Sequence, residues 1–386
     1  MNKFYFDNAS TTFPKAPTVS KSVANYIDYI GCNVGRGSYQ TAYSASAIVL
    51  ETRELLADLF NFPTSSNVVF TQSITYALNF ILKGFLQSGD HVIVSGLEHN
   101  AVMRPLVQLE KKGVSFSRVA SDIQGKIQAK SIIPLIQKNT KAVIFTTASN
   151  VCGTIMPIAE IGAICKEYGI RFIVDSAQTA GVFPINMRTS YIDALCFTGH
   201  KGLLATQGIG GFLITTAFAD LITPLISGGT GSASDSEEMP SFLPDKFESG
   251  TMNIPAIFGL NASLKYIMKY TVDAIREKEL YLTHLFIQGI KKIDGIKIIG
   301  CQDTIGRTSV VSLDFYNLDN AEVSYHLDIT YSIMTRCGMH CAPSAHKSLN
   351  TFPQGTVRFS FGHFNTEEEI LCAVKYIEMY LNNRNV

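Results

Sequence analysis

A lysine and an aspartate at the ends of two apolar runs are the residues best suited to chemistry. Asp175 closes the run in VDSAQ (174–178), and Lys201 lies in a small polar turn, TGHKG (198–202). A lysine amine can hold an aldehyde as a Schiff base, and a carboxylate can keep a pyridine nitrogen protonated so that the ring accepts electrons. Each alone has an ordinary alternative, a solvated turn lysine or a helix cap. Together they indicate a site for a pyridine cofactor.

Cys341, in RCGMHCAPSAHK (336–347), is the candidate nucleophile. A free thiol has a pKa of about 8.5, so an attacking thiolate needs cationic or polar neighbours, and His340 and Arg336 are the local candidates. Cys337 leaves three possibilities open. The first is a metal site with His346 as the fourth ligand, the second, slightly favoured over the first, is a redox disulfide to Cys341, and the third is a small residue without a chemical role. The other cysteines lie mostly in apolar strings and are expected in the core: Cys32, Cys152, Cys165, Cys196, Cys301 and Cys372.

Arg358 is the candidate for binding an amino-acid substrate. A guanidinium grips an α-carboxylate through two parallel charge-assisted hydrogen bonds, which a lysine does poorly. The alternative is an arginine in a surface ion pair. Its place in the apolar run TVRFSF (356–361) argues against solvent exposure.

The elements that must position these residues follow from the hydrophobic pattern. Between residues 50 and 215, short apolar runs alternate with helix-like segments, which is typical of a mostly parallel sheet covered by helices. The predicted strands cover 67–71, 91–95, 142–147, 172–175, 194–198 and 210–214. Several end in polar residues, where an open α/β sheet binds ligands. A Gly/Ser-rich loop (227–243), a long amphipathic helix (255–289) and strands near 297–299 and 309–315 follow.

Length and charge restrict the class of protein. A chain of 386 residues is too long to fold around one hydrophobic core, so two domains are predicted. Lys+Arg and Asp+Glu balance at 32 each, so nothing favours nucleic acid or an anionic membrane as partner. The N-terminus lacks a signal-peptide pattern, and no apolar stretch approaches the roughly 20 residues of a membrane span. Scattered single cysteines indicate a reducing compartment, so a cytoplasmic location is expected.

Ten motifs, in one order, resemble the class V aminotransferase family of fold-type I pyridoxal-phosphate (PLP) enzymes, and specifically the SufS-like cysteine desulfurases and selenocysteine lyases. They are FDNAST (6–11), NVGRG (33–37), FTQSITYALN (70–79), LEHNA (97–101), SNVCGT (149–154), VDSAQ, TGHKG, FESGTMN (247–253), RCGMHC (336–341) and VRFSFGHFNT (357–366). The resemblance implies a large domain (15–255) with a mostly parallel seven-stranded sheet between helices. A smaller α+β domain (256–386) would include the N-terminal segment (1–14).

The resemblance also assigns a place to each cofactor contact. His99 resembles the histidine that stacks on the pyridine ring and moves protons, and Gln178 the group that binds the phenolic oxygen; Asn150 serves that oxygen and the substrate carboxylate. The segment 72–79 opens a helix whose amides and dipole would face the phosphate. Further phosphate contacts would come from Ile74 through its backbone, Thr75, Thr198, His200 and, in the neighbouring subunit, Thr251. The alternatives are a core histidine and helix-capping threonines.

Near the substrate, the resemblance places Asn8 and Ala9 in a covering segment and Arg36 at the entrance, supplied by the partner chain of a homodimer. Two positions depart from the family pattern, because Ile74 replaces a small residue and Gly35 replaces a histidine.

The implied reaction converts L-cysteine to L-alanine. Lys201 would remove the Cα proton, and Cys341 would take the sulfur as a persulfide and pass it to an acceptor protein or thiol. One alternative is a selenocysteine lyase acting on L-selenocysteine. Another is an aminotransferase or carbon–sulfur lyase in which Cys341 is structural.

Overall fold

The computed structural model describes residues 3–35 and 37–383, and these form an α/β fold. The strands are β1 (Phe4–Tyr5), β2 (Val68–Thr71), β3 (His91–Ser95), β4 (Ser115–Val119), β5 (Thr140–Thr146), β6 (Arg171–Asp175), β7 (Ala194–Thr198), β8 (Gly210–Ile214), β9 (Ile296–Ile299), β10 (Val310–Phe315), β11 (Ile333–Met334), β12 (Arg336–Gly338) and β13 (Thr356–Ser360). No helix within the described ranges has both the length and the apolar character needed to cross a bilayer.

The α-helices lie between and after these strands. They are α1 (Val19–Asn25), α2 (Gln40–Leu59), α3 (Ile74–Phe85), α4 (Asn100–Glu110), α5 (Ile158–Tyr168), α6 (Thr216–Ala219), α7 (Ile254–Tyr270), α8 (Val272–Ile290), α9 (Asn320–Tyr331), α10 (Pro343–Ser348) and α11 (Glu367–Asn382). A π-helical turn, Tyr26–Ile30, continues α1, and 3-10 turns cover Ser65–Asn67 and Ala129–Leu135.

The central sheet of the described chain has seven strands in the order β2-β8-β7-β6-β5-β3-β4. Strand β8 runs antiparallel to both neighbours, and the other pairs are parallel. Two hydrophobic clusters cover its faces, with Ile93 in one and its neighbours Val92 and Val94 in the other. Because both faces are buried, β3, β7 and β8 are mostly apolar and every residue in them is buried. The predicted mostly parallel, seven-stranded sheet is confirmed.

The predicted strands match the observed ones within two residues at each end. One strand of the central sheet, β4, was not predicted. The predictions 194–198 and 210–214 coincide with β7 and β8, whereas the prediction 142–147 begins two residues late for β5. Strand β4 was not predicted because it lies at the edge of the sheet, where Ser115 and Arg118 are exposed and interrupt any apolar run.

A four-stranded antiparallel sheet in the order β12-β13-β10-β9 carries the C-terminal part of the chain. Strand β1 pairs in parallel with β11, and Phe4 and Phe6 pack in one hydrophobic cluster with residues of α8, β10, β13 and α11. The N-terminal segment thus packs against C-terminal elements. The exact domain limits, 15–255 against 1–14 with 256–386, stay a prediction.

The prediction of one long helix over 255–289 is wrong. Two helices, α7 and α8, meet at Thr271, whose φ of 66° and ψ of 146° are not helical. The Thr271 hydroxyl oxygen accepts a hydrogen bond from the Ala274 amide at 3.2 Å and so caps α8.

Candidate active site

The carboxyl ends of four parallel strands bring the predicted chemical groups to one edge of the sheet. His99 follows β3, Asn150 follows β5, Asp175 ends β6 and Lys201 follows β7. In register, Thr146 of β5 pairs with Asp175, which pairs with Cys196 of β7. Ligands bind in open α/β sheets at this edge, because the loops there leave a crevice between neighbouring strands.

Asp175 is buried, and its Oδ1 atom accepts a hydrogen bond from the Ala177 amide at 2.9 Å. Burial raises the pKa of its carboxyl group, and the Ala177 amide and the positive charge of Lys201 partly offset this rise. A carboxylate in such a place gains most from a cationic partner held against it.

The pKa of the Lys201 amine is lowered to about 8, mainly by burial and next by the positive charge of Arg358, while Asp175 opposes the shift. An ordinary lysine would be almost fully protonated at neutral pH. With the lowered value, a useful fraction of Lys201 is a free amine, which is the form that reacts with an aldehyde or accepts a proton.

His99 is the N-cap of α4, and its Nδ1 atom accepts a hydrogen bond from the Ala101 amide at 3.0 Å. That bond assigns the proton to Nε2. Burial lowers the pKa of His99 to about 4, with Lys201 the next cause. The imidazole is therefore neutral at physiological pH, and its Nε2–H group takes no part in the helix cap.

An anion-binding corner lies at the N-terminus of α3. Ser73 precedes the helix without a side-chain cap from any described residue, so the first amides stay available. Strand β8 passes so close that a Cβ atom at Gly210 would lie 2.9 Å from the Ile74 nitrogen. Thr198 Oγ1 and His200 Nδ1 are buried and have no hydrogen-bond partner among the described residues. Buried polar atoms without a partner would be satisfied by the oxygens of a phosphate group bound at this corner.

The two remaining threonines of the predicted phosphate site, Thr75 and Thr251, are exposed. Thr251 lines a cavity of about 410 Å³ together with Gln72 and Tyr76, which frame the start of α3. Their predicted phosphate contacts, within one chain for Thr75 and across a dimer for Thr251, stay predictions.

Arg358 lies on β13 with only 1% of its surface exposed. Its Nη1 donates to the Asn150 carbonyl at 3.0 Å, and its Nη2 donates to Asp7 Oδ1 at 3.1 Å and to Ser10 Oγ at 2.8 Å. Its Nε is buried without a partner in the part of the chain that the structure describes. The alternative of a surface ion pair is therefore wrong, since Arg358 pairs with Asp7 inside the protein.

The N-terminal segment lies over this corner, and the predicted substrate contacts of Asn8 and Ala9 stay predictions. Asn8 is buried and donates to the Ser360 carbonyl at 3.0 Å, while the Ala9 carbonyl accepts from Gln178 Nε2 at 3.2 Å. The Asn150 side chain donates to the His340 carbonyl at 2.7 Å. Arg36 lies outside the described residues.

The Cys341 thiol is exposed, and Arg336 Nη2 lies 3.7 Å from its Sγ atom. The same guanidinium donates from Nη1 to Ser10 Oγ at 2.9 Å. The prediction that His340 also activates the thiol is wrong. His340 is buried, its Nε2 meets Thr356 Oγ1 at 2.9 Å, and burial lowers its pKa to about 2, so the ring carries no charge.

A sequence profile described as Aminotransferase class-V matches residues 4–372. The chain belongs to this family. A probable cysteine desulfurase of Methanothermobacter thermautotrophicus is 33% identical over 371 residues, covering 95% of this chain and 92% of that protein. A probable cysteine desulfurase of Borreliella burgdorferi is 32% identical over 383 residues, covering 96% and 90%. An apo structure of a cysteine desulfurase from Thermococcus onnurineus NA1 matches with a TM-score of 0.92 at 29% identity, covering 99% of this chain and 95% of that one.

Cys337 is the second cysteine of the segment that contains Cys341. It lies half-buried in β12, and all eight cysteines of the described chain are free. His346 is buried with its Nδ1 atom 2.7 Å from Thr351 Oγ1, and within residues 3–35 and 37–383 no cluster of three His, Cys, Asp or Glu side chains could hold a metal ion. The described side chains thus do not assemble the alternative metal site.

Three residues of the site were not predicted individually: Asp7, Ser10 and Glu98. Glu98 is fully buried, accepts hydrogen bonds from Ser95 Oγ and the Thr146 amide, and directly precedes His99. Burial raises the pKa of its carboxyl group to about 8. The signal in the sequence was a charged residue inside LEHNA, directly after an apolar run. Asp7 and Ser10 both lie within the motif FDNAST.

Proposed function

We propose that this class V family member is a PLP-dependent cysteine desulfurase that converts L-cysteine to L-alanine and holds the sulfur on Cys341. One observation carries the proposal. An exposed thiol contacts Arg336, and a single hydroxyl group, that of Ser10, joins this arginine to the buried Arg358. Arg358, the candidate for the substrate carboxylate, lies close enough to Lys201 to lower its pKa, and the Ser10 hydroxyl connects it to the arginine at the thiol. The names of the relatives support the same activity.

The residues present fit PLP. The orphaned Thr198 Oγ1 and His200 Nδ1 atoms and the amides at Ile74 would hold its phosphate, together with Thr75 and a partner-chain Thr251. Lys201 would hold its aldehyde carbon and Asp175 its ring nitrogen, with His99 and Gln178 as further contacts. When bound, PLP supplies a carbon that takes the amino group of the substrate and a ring that accepts electrons from Cα.

The protein's own groups bind the substrate and move its proton. Arg358 and Asn150 would take the α-carboxylate, with Asn8, Ala9 and Arg36 around it, because a buried guanidinium recognises that group through paired N–H donors. The Lys201 Nζ atom accepts the proton from Cα, and its pKa of about 8 provides the required free amine.

Sulfur transfer needs the thiolate of Cys341. Its Sγ attacks the substrate sulfur, an S–S bond forms and the bond from Cβ to sulfur breaks. L-cysteine and the Cys341 thiol thus become L-alanine and a Cys341 persulfide, with no further oxidant. Arg336 Nη2, 3.7 Å from Sγ, places a positive charge beside the attacking sulfur.

Cys341 is exposed, so a thiol or an acceptor protein can reach the persulfide. A homodimer is part of the proposal. It is supported by large apolar side chains that lie open to solvent, among them Tyr29 at 78% and Tyr43 at 60% exposure. A reducing, cytoplasmic setting is supported by the free cysteines of the described chain.

The test replaces Cys341 with Ala in the PLP-loaded protein. Alanine formation from L-cysteine should fall by about a hundredfold or more, because the sulfur acceptor is gone. Wild-type protein treated with L-cysteine should gain the mass of one sulfur on Cys341. Cys337→Ser is the matched control and should keep both signals. Alanine formation at the wild-type rate by the Cys341→Ala protein would contradict the proposal.

A further inference from the structure

We propose that Asp7 and Ser10 are a positioning pair that ties Arg358 to Arg336 and thereby holds Arg336 against the Cys341 thiol. This inference rests on the proposed function for the importance of the thiol. The interaction itself is a property of the folded protein before any substrate is turned over.

The Ser10 hydroxyl has its full set of hydrogen bonds. A hydroxyl offers one donor and two acceptor sites. Ser10 Oγ donates to Asp7 Oδ1 at 2.7 Å and accepts from Arg336 Nη1 at 2.9 Å and Arg358 Nη2 at 2.8 Å. Two guanidinium groups are therefore fixed relative to each other by one oxygen atom.

Asp7 makes this arrangement of two cations possible. Its Oδ1 atom accepts from both Ser10 and Arg358, the latter at 3.1 Å. Two like charges that share one hydroxyl oxygen repel each other, and a carboxylate beside them reduces that repulsion. The carboxylate also orients the Ser10 hydroxyl, since its proton points to Oδ1 and leaves both lone pairs for the arginines.

Backbone hydrogen bonds hold Ser10 in place in addition to its contacts with the arginines. The Ser10 amide donates to the Asp7 carbonyl at 3.0 Å, and the neighbouring Ala9 amide donates to Ser360 Oγ at 2.9 Å. Ser360 is a buried residue at the end of β13, the strand that also carries Arg358. The hydroxyl therefore has a defined position from which it can orient Arg336.

Arg336 is the side chain whose freedom this contact restricts. It is only partly buried, and within the described chain its guanidinium donates to Ser10 and contacts Cys341 Sγ at 3.7 Å. A long exposed side chain loses rotamer entropy when it is held in one place. Removing the Ser10 oxygen should therefore release Arg336 and weaken its effect on the thiol.

The test measures the rate of Cys341 alkylation by iodoacetamide against pH in the PLP-loaded protein without substrate, locating the modified cysteine by peptide fragmentation. The midpoint of this profile reports thiolate formation. Arg336→Gln should raise the midpoint by about one pH unit, because a cation near the thiol is lost. Ser10→Ala should raise it by about half a unit.

Two further variants separate positioning from folding. Ser10→Thr and Ser10→Val have nearly the same shape and differ in the hydroxyl, so only Ser10→Val should raise the midpoint. Thr11→Ala removes the next hydroxyl along the chain, which donates to the His200 carbonyl at 3.1 Å and bonds no arginine among the described residues, and should leave the midpoint unchanged. The Thr and Val pair keeps the test valid if Ser10→Ala fails to fold.

An unchanged midpoint in Ser10→Val together with a raised midpoint in Arg336→Gln would overturn the positioning role of Ser10. An unchanged midpoint in Arg336→Gln would overturn the inference altogether. Because alkylation needs no turnover, a wild-type protein that forms no alanine from L-cysteine would refute the proposed function and leave the alkylation result intact.

Discussion

His99 uses its two ring nitrogens for different tasks. Nδ1 caps α4 through the Ala101 amide, and Nε2 retains the only proton, since burial holds the pKa at about 4. The helix cap therefore depends on one ring nitrogen and the proposed chemical role of His99 on the other, so substitutions can test the two separately.

Replacement of His99 with Asn should separate these tasks. Asn is a favourable N-cap, so the free energy of unfolding should stay within about 0.5 kcal/mol of the wild-type value, whereas His99→Ala should lose about 1 kcal/mol. Both variants lack the ring, so alanine formation should fall by about a hundredfold in each. Urea denaturation and an alanine assay measure the two effects. Wild-type activity in His99→Asn would show that the ring has no catalytic part.

The prediction for Lys201 and Asp175 rested on a local signal, whereas the contacts of Ser10 leave none in the sequence. Lys201 and Asp175 follow buried strands, and the ends of parallel strands meet in space. Ser10, by contrast, meets arginines 326 and 348 positions away, and no local pattern records such contacts. His340 was assigned to the thiol because it is adjacent to Cys341. Positive φ angles of 47° and 58° at these two residues form a turn in which one side chain is buried and the other exposed.

At the scale of elements, the junction of α7 and α8 stores backbone strain. Thr271 has a φ of 66° and a ψ of 146°, a region that β-branched residues rarely occupy and that costs about 1–3 kcal/mol. The hydroxyl compensates in part by capping α8.

Thr271→Gly should stabilise the protein by about 1 kcal/mol, because glycine adopts this conformation freely and is itself a fair N-cap. Thr271→Ala is the control: it keeps the Cβ atom, loses the cap, and should be less stable than the wild type by about 1 kcal/mol. Urea unfolding measures both changes. A glycine variant less stable than the alanine variant would mean that Thr271 is not strained.

This break could not be read from the sequence. Residues 255–289 keep an amphipathic pattern throughout, and neither glycine nor proline lies beside Thr271. In the central sheet, β4 was missed for the opposite reason: its Ser and Arg residues interrupt the apolar pattern, although its backbone pairs with β3. The sequence prediction therefore failed for elements whose structure depends on contacts with neighbouring elements more than on their own hydrophobic pattern.

At the scale of the whole molecule, a buried acid in α8 makes stability depend on pH. Glu279 is buried, accepts a hydrogen bond from Ser309 Oγ at 3.1 Å, and lines a cavity of about 30 Å³ together with Lys201. Burial raises the pKa of its carboxyl group from 4.5 to about 8. The folded protein therefore binds a proton between these pH values that the unfolded chain releases.

The sign of this effect is fixed. The contribution of protonated Glu279 to stability is complete below pH 4.5 and is lost as the pH rises through about 8. Glu279→Gln keeps the shape and cannot ionise, so its stability should fall less than that of the wild type between pH 5 and pH 8.5. The exposed Glu277→Gln on the same helix is the control and should follow the wild type. Urea unfolding across this pH range gives the free energy of unfolding of each protein. The same dependence on pH in all three proteins would contradict the role given to Glu279.

The pairing of β1 with β11 has a consequence for biosynthesis. Phe4 and Phe6 leave the ribosome early, yet their amides bond to the carbonyls of Ser332 and Met334, and the Phe6 carbonyl accepts from the Ser360 amide. The central sheet can form during translation, when its last strand at residue 214 has emerged. The corner that joins Asp7 and Ser10 to the arginines must wait for β13. A nascent chain thus carries its lysine site well before it carries a complete sulfur-transfer site.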